Sequence, residues 1–119
     1  MKIEIKGRNC PVTDDLREHV ERRFDKVGRQ VSELARLEVE LWEERNKANP
    51  EPQVAEVTLH VKGGLLRARD ASRDMVHSIN LCADELARQV KRDRVRRRRR
   101  REMRASASAN SWDGMSQAL

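Results

Sequence analysis

The chain has 119 residues, near the usual size of one domain, with 26 Lys and Arg against 20 Asp and Glu and a formal net charge of +6. Charged residues make up 39% of it, and no stretch approaches the roughly 18 consecutive apolar residues that read as a membrane-spanning helix, so that class is excluded. Two cysteines, Cys10 and Cys82, are too few for a disulfide scaffold. The opening Met1-Lys2-Ile3-Glu4-Ile5-Lys6 alternates where a secretory signal would be continuously apolar, which predicts a cytoplasmic, reducing setting.

Residues 2–6 place Ile3 and Ile5 on one side, the pattern of a half-buried strand, and Gly7-Arg8-Asn9 ends it. Thr13 is a good helix N-cap, and Asp14 and Asp15 suit the positive end of a helix dipole. Leu16, Val20, Phe24 and Val27 then recur at helical spacing, so 14–30 reads as an amphipathic helix with Gly28 in its last turn. Residues 36–44 alternate again, with Leu37, Val39 and Leu41 facing one way. The Pro- and Asn-containing stretch 46–53 marks a loop. A third strand at 54–62 turns Ala55, Val57, Leu59 and Val61 inward. Gly63-Gly64 signals a tight hairpin into a fourth strand at 65–71.

Ser72 is the expected cap of a second helix, whose apolar stripe is Met75, Val76, Ile79, Cys82, Ala83, Leu86 and Val90. On a 100° wheel Arg88 lies opposite that stripe, with Arg73, His77, Lys91 and Arg92 flanking it. The order predicts an α+β fold, β-α-β-β-β-α, in which a four-stranded sheet carries two helices packed on one face. The first crossover should make strands one and two parallel and right-handed. Residues 1–95 form the expected domain, 96–104 an arginine-rich extension, and the small, polar 105–119 a disordered tail.

No catalytic constellation emerges. His19, His60 and His77 lack metal-ligand spacing with one another or with the cysteines and read as solvated. Cys10 and Cys82 read as packing residues, and Gly63-Gly64 lacks the pattern of a phosphate loop. Glu18 with Arg22 and Asp25 with Arg29 have the spacing of helical ion pairs. No metal or cofactor is expected, and an enzyme is the weakest reading.

The informative feature is charge placement. Eleven Lys and Arg residues fall between Arg88 and Arg104, against only Asp93 and Glu102, so the rest of the chain carries more acid than base. Arg96, Arg97, Arg98, Arg99, Arg100 and Arg101 are consecutive. Such a block repels itself and suits a polyanion, and arginine offers phosphate a bidentate fork. Helix one adds Arg22, Lys26 and Arg29 along one outward stripe, interrupted by Glu18 and Asp25. Tyrosine is absent and Trp42 and Trp112 are isolated, so recognition of phosphate geometry and RNA shape fits better than base stacking.

Several segments resemble the bacterial ribosome hibernation-promoting factors, also called ribosome-associated inhibitors. Ala55-Glu56-Val57-Thr58-Leu59-His60-Val61 with Gly63-Gly64 looks like their third strand and hairpin. Asp74-Met75, Ile79 and the run Asp84 to Arg92 look like their second helix. Ile3 to Arg8 and Thr13 to Val20 are similar to their first strand and helix. The likeness covers about residues 1–95. It departs at Val76, where an aromatic is usual, and at Gly28-Arg29-Gln30-Val31, which replaces an aromatic-rich connection.

The resemblance implies a fold related in shape to double-stranded-RNA-binding domains. It also implies binding to the small ribosomal subunit, chiefly its rRNA, in competition with tRNA and mRNA at the A and P sites. The contacts it implies are Arg22, Lys26, Arg29, Arg88, Lys91 and Arg92. The Arg96–Arg101 run joins them on its own charge. Long relatives carry a second, dimer-forming domain; this sequence reaches Leu119 without one, so a short form that binds as a monomer is expected. Two other readings compete: an RNA chaperone or ribosome assembly factor using the same basic helix, and a nonspecific DNA-binding protein.

Overall fold

The computed structural model describes the backbone of residues 1–117 and the side chains of residues 1–107. Its elements are β1 (Lys2–Arg8), α1 (Asp14–Gln30), β2 (Arg36–Glu43), β3 (Gln53–Val61), β4 (Gly64–Ser72) and α2 (Met75–Gln117). One sheet has the order β1-β2-β3-β4, with β1 and β2 parallel and the other neighbours antiparallel. The β-α-β-β-β-α order is the one the hydrophobic pattern predicts.

The register explains the core. Ile3, Leu37, Leu59 and Leu66 line up across all four strands; Ile5, Val39, Val57 and Ala68 form the next row. Side chains two residues apart share a face, so these rows make one apolar surface. Val20, Phe24 and Val27 of α1 and Ile79, Cys82, Leu86 and Val90 of α2 bury themselves against it. Burying each large aliphatic or aromatic side chain contributes about 1.5–3 kcal/mol. Thr13 caps α1 as expected, its Oγ1 accepting from the Leu16 N–H at 3.2 Å.

The opposite face has no helix on it, yet Val54 and Thr58 are buried there, where alternation placed Thr58 in solvent. Val54 pairs with Trp42 across β2–β3, and the Arg8 and Arg69 guanidiniums lie 4.9 and 5.1 Å from the Trp42 ring centroid. Cation–π contacts thus hold this ring on the sheet.

Turns and caps differ from expectation in detail. Val61 pairs with Gly64, so the hairpin turn is Lys62-Gly63, and Gly63 takes the positive φ of 86°. Gly7 lies inside β1, where a Cβ would fall 2.2 Å from the Cys10 carbonyl oxygen, so no larger residue fits that loop. Ser72 does not cap α2. The ladder extends to Ser72, paired with Gln53, and the first helical bond runs from the Ser78 N–H to the Asp74 carbonyl. Ser72 Oγ instead accepts from the Asp74 N–H at 3.2 Å, and buried Ser78 donates to the Gln53 carbonyl at 2.7 Å.

The largest departure is α2. It runs 43 residues to Gln117, about 64 Å of helix, through the arginine-rich extension and on into the stretch expected as a disordered tail. Residues 118 and 119 and the Trp112 side chain lie outside the described residues. Arginine and alanine are good helix formers, and like-charge repulsion is partly offset by i,i+4 pairs. Arg97 Nε meets Asp93 at 3.0 Å and Arg98 approaches Glu102 at 3.9 Å. Arg97 also donates to the Lys62 carbonyl, tying the helix to the β3–β4 turn.

Candidate nucleic-acid interface

The two helices lie side by side in fixed register. His19 Nε2 is 2.8 Å from Asn80 Oδ1, and Arg23 Nη2 is 3.0 Å from Asp84 Oδ1. Each partner lies 61 residues further along the chain, so the helices run parallel. Their outer surface holds the predicted contacts. His19 belongs to this seam and His60 lies 3.4 Å from Glu38, so of the three histidines only His77 is freely exposed.

Arg22, Lys26 and Arg29 are exposed on α1, and Arg88, Lys91, Arg92, Arg94, Arg96, Arg98, Arg99, Arg100 and Arg101 on α2; Arg97 is half-buried. They are not equally available. Glu85 receives two hydrogen bonds from Arg88, and Arg92 stands 3.5 Å from its other carboxylate oxygen. The Glu85 carboxyl is held below its ordinary range, first by Arg88 and next by Gln89. Arg29 is paired with Asp25 at 2.7 Å, as its spacing predicts, whereas Glu18 and Arg22 form no ion pair among the described residues. Among those residues Arg22, Lys26, Lys91, Arg94, Arg96, Arg99, Arg100 and Arg101 have no carboxylate partner within 4 Å.

Arg94 is a further exposed cation of this surface, one that sequence reasoning left out of the candidate contacts. Lys91, Arg94, Arg98 and Arg101 line one shallow groove along α2, at the 3-4-3 spacing of a single helix face. That spacing was present in the sequence, but the run of consecutive arginines masked it. Lys91 stands level with Gln30, the last residue of α1, by the 61-residue offset. Beyond that point α2 has no helical neighbour and offers cations around most of its circumference.

No group of three or more His, Cys, Asp or Glu side chains is placed to hold a metal among the described residues. Cys82 is buried, donates to the Ala55 carbonyl at 3.1 Å, and has its thiol pushed up to about 12 by burial and then by Asp70. No helix among the described residues is long and apolar enough to cross a membrane.

Fold and surface together define a small α+β domain with a cationic helix layer. The chain belongs to the family described as Sigma 54 modulation protein / S30EA ribosomal protein, whose sequence model matches residues 3–98. It is 33% identical over 92 residues to a Salmonella typhimurium protein named ribosome hibernation promoting factor, covering 77% of this chain and 92% of that one. A Picosynechococcus protein named ribosome hibernation promotion factor is 31% identical over 93 residues, 77% of this chain but 48% of that one. The chain therefore spans about half the length of some curated relatives and nearly all of others. The N-terminal domain of Thermus thermophilus Protein Y superposes with a TM-score of 0.67 at 30% identity, covering 77% of this chain and 98% of that domain. A ribosomal subunit interface protein from Coxiella burnetii shares the fold, with a TM-score of 0.68 at 16% identity.

Proposed function

We propose that this chain is a ribosome hibernation factor that acts in the cytoplasm by occupancy, without a chemical step. It binds the small ribosomal subunit in the tRNA and mRNA channel, across the A and P sites, and silences translation during stress or stationary phase. The observation that carries this reading is the row of unpaired cations on the outer side of the parallel helix pair, within a domain that relatives named for ribosome hibernation share. Lys26, Lys91 and Arg94 meet rRNA phosphates, and Arg96 to Arg101 extend the contact beyond the domain. Recognition is by backbone geometry, because Phe24, the one Phe, Tyr or Trp of the helix layer among the residues whose side chains are described, is fully buried.

Sedimentation with purified ribosomes, paired with translation in vitro, tests the reading. Co-migration with intact ribosomes and loss of translation that initiator tRNA and mRNA relieve is expected. Full translation at saturating protein would sink it. Selective migration with immature subunits would favour an assembly factor, for which the arginine helix beyond the domain is the supporting feature.

A further inference from the structure

A second surface lies at the end of the domain, where α1 stops and α2 continues alone. A groove of about 570 Å3 opens there, and its apolar wall is Val31, Leu34, Ala35, Val61, Leu66 and Val90. Three elements build it: the turn after α1, the β3–β4 hairpin and α2. The turn is fixed, since Ser32 Oγ accepts from the Leu34 N–H at 3.1 Å and the Ala35 carbonyl accepts from the Lys2 N–H at 2.9 Å. The far side is fixed as well, by Arg97 bridging Asp93 and the Lys62 carbonyl. At the lip Leu34 is 94% exposed. Of the charged groups lining the rim, Asp93 and Arg97 neutralise each other, which leaves Lys62 and Arg94 without a carboxylate partner among the described residues.

We infer that this groove docks a peptide segment of a partner protein in which aliphatic side chains are flanked by carboxylates. Leu34 projects beyond the groove, so a small molecule seated inside would leave it in water. Only a surface lapping over the rim buries it. Apart from His60, whose ring lies against Glu38, the wall is aliphatic, whereas an RNA base gains most of its binding from stacking on aromatic faces. Lys62 and Arg94 give the rim its unbalanced positive charge, which carboxylates beside the apolar anchors would complement. The groove shares Arg94 and Arg97 with the cations proposed to meet rRNA, whereas Lys62 and the aliphatic wall lie outside that set.

The test uses the full chain and methyl NMR. Its probes are 12-residue peptides, helical and extended, carrying two leucines four residues apart among glutamates. Matched controls carry lysine for every glutamate or serine for every leucine, and an RNA hairpin is titrated separately. The Glu–Leu peptides should shift the methyls of Leu34, Val61, Leu66 and Val90. Leu34→Ser, in an exposed turn that tolerates it, should weaken binding about tenfold, as expected for loss of one buried leucine. Arg94→Glu should shift preference toward the lysine peptides. Equal binding of lysine or serine controls overturns the inference. So does the same methyl pattern from the RNA hairpin alone, or no shift with any peptide.

Discussion

Glu85 grips Arg88 with one carboxylate oxygen, 3.1 Å from Nε and 2.8 Å from Nη2. A carboxylate thus already occupies the fork that a phosphate would take. Arg92 approaches the other oxygen of the same group. On the proposed function, Glu85 would compete with RNA for two of the cations expected to hold it.

Replacing Glu85 with Gln should free both guanidiniums. Ribosome binding should tighten, and its salt dependence should steepen by roughly 0.7–0.9 for each additional phosphate neutralised. The same release should come from acid. The carboxyl titrates below its ordinary range, so the pairs hold above that depressed pKa and are lost as pH falls through it. Binding isotherms of both forms at several salt concentrations check this, and unchanged slopes would count against the competition.

Lys91 and Arg94 have no such competitor. Gln at both positions should weaken ribosome binding more than Gln at both Arg88 and Arg92. The reason is that the second pair must break its contacts with Glu85 before meeting phosphate. All four side chains are exposed, so the melting temperature should hardly move, within about 0.5 kcal/mol of stability. Sedimentation assays beside thermal melts compare the two double variants directly.

The two thiols should differ sharply in reactivity. Cys82 is fully buried with its pKa pushed up to about 12, while Cys10 is only half-buried and more modestly raised, first by burial and then by Glu43. An Ellman titration of the native protein should count Cys10 alone, and a denatured sample both. Stability should also erode above about pH 9. There the unfolded thiol ionises while Cys82 in the fold keeps its proton up to about 12.

Truncation after Val95 removes the arginine helix and leaves the core untouched, since Val90 is the last buried apolar residue of α2. Affinity for ribosomes should fall and depend less steeply on salt, while the protected rRNA core stays the same. Carbon chemical shifts of the intact free protein should report helix through residue 104. Coil shifts from residue 96 onward would contradict the continuous α2.

Strict alternation made the strands legible, and Thr13 with its acidic first turn marked α1 to the residue. Ser72 misled because capping preference is local, whereas the ladder that claims it is set by β3. The arginine run looked self-repelling because Arg97 finds its carbonyl on Lys62, 35 residues away in sequence. Trp42 looked isolated for the same reason, its two cations arriving from β1 and β4. In the candidate site, the spacing of basic residues was readable, but their availability was not. Which of them a carboxylate already holds depends on rotamers, and Glu85 chose Arg88 and Arg92 over water.

The constant 61-residue offset between His19 and Asn80 and between Arg23 and Asp84 sets the azimuth of everything beyond it. A polar seam at two successive turns locks α2 against rotation about its own axis, so each later side chain points in a direction counted off from Asp84. One residue inserted after Val90 would swing the whole arginine helix by about 100° and lengthen it by about 1.5 Å. Four inserted residues would bring it back to within about 40°. The bearing of the cations is thus written in the number of residues between seam and rod, independently of which residues they are.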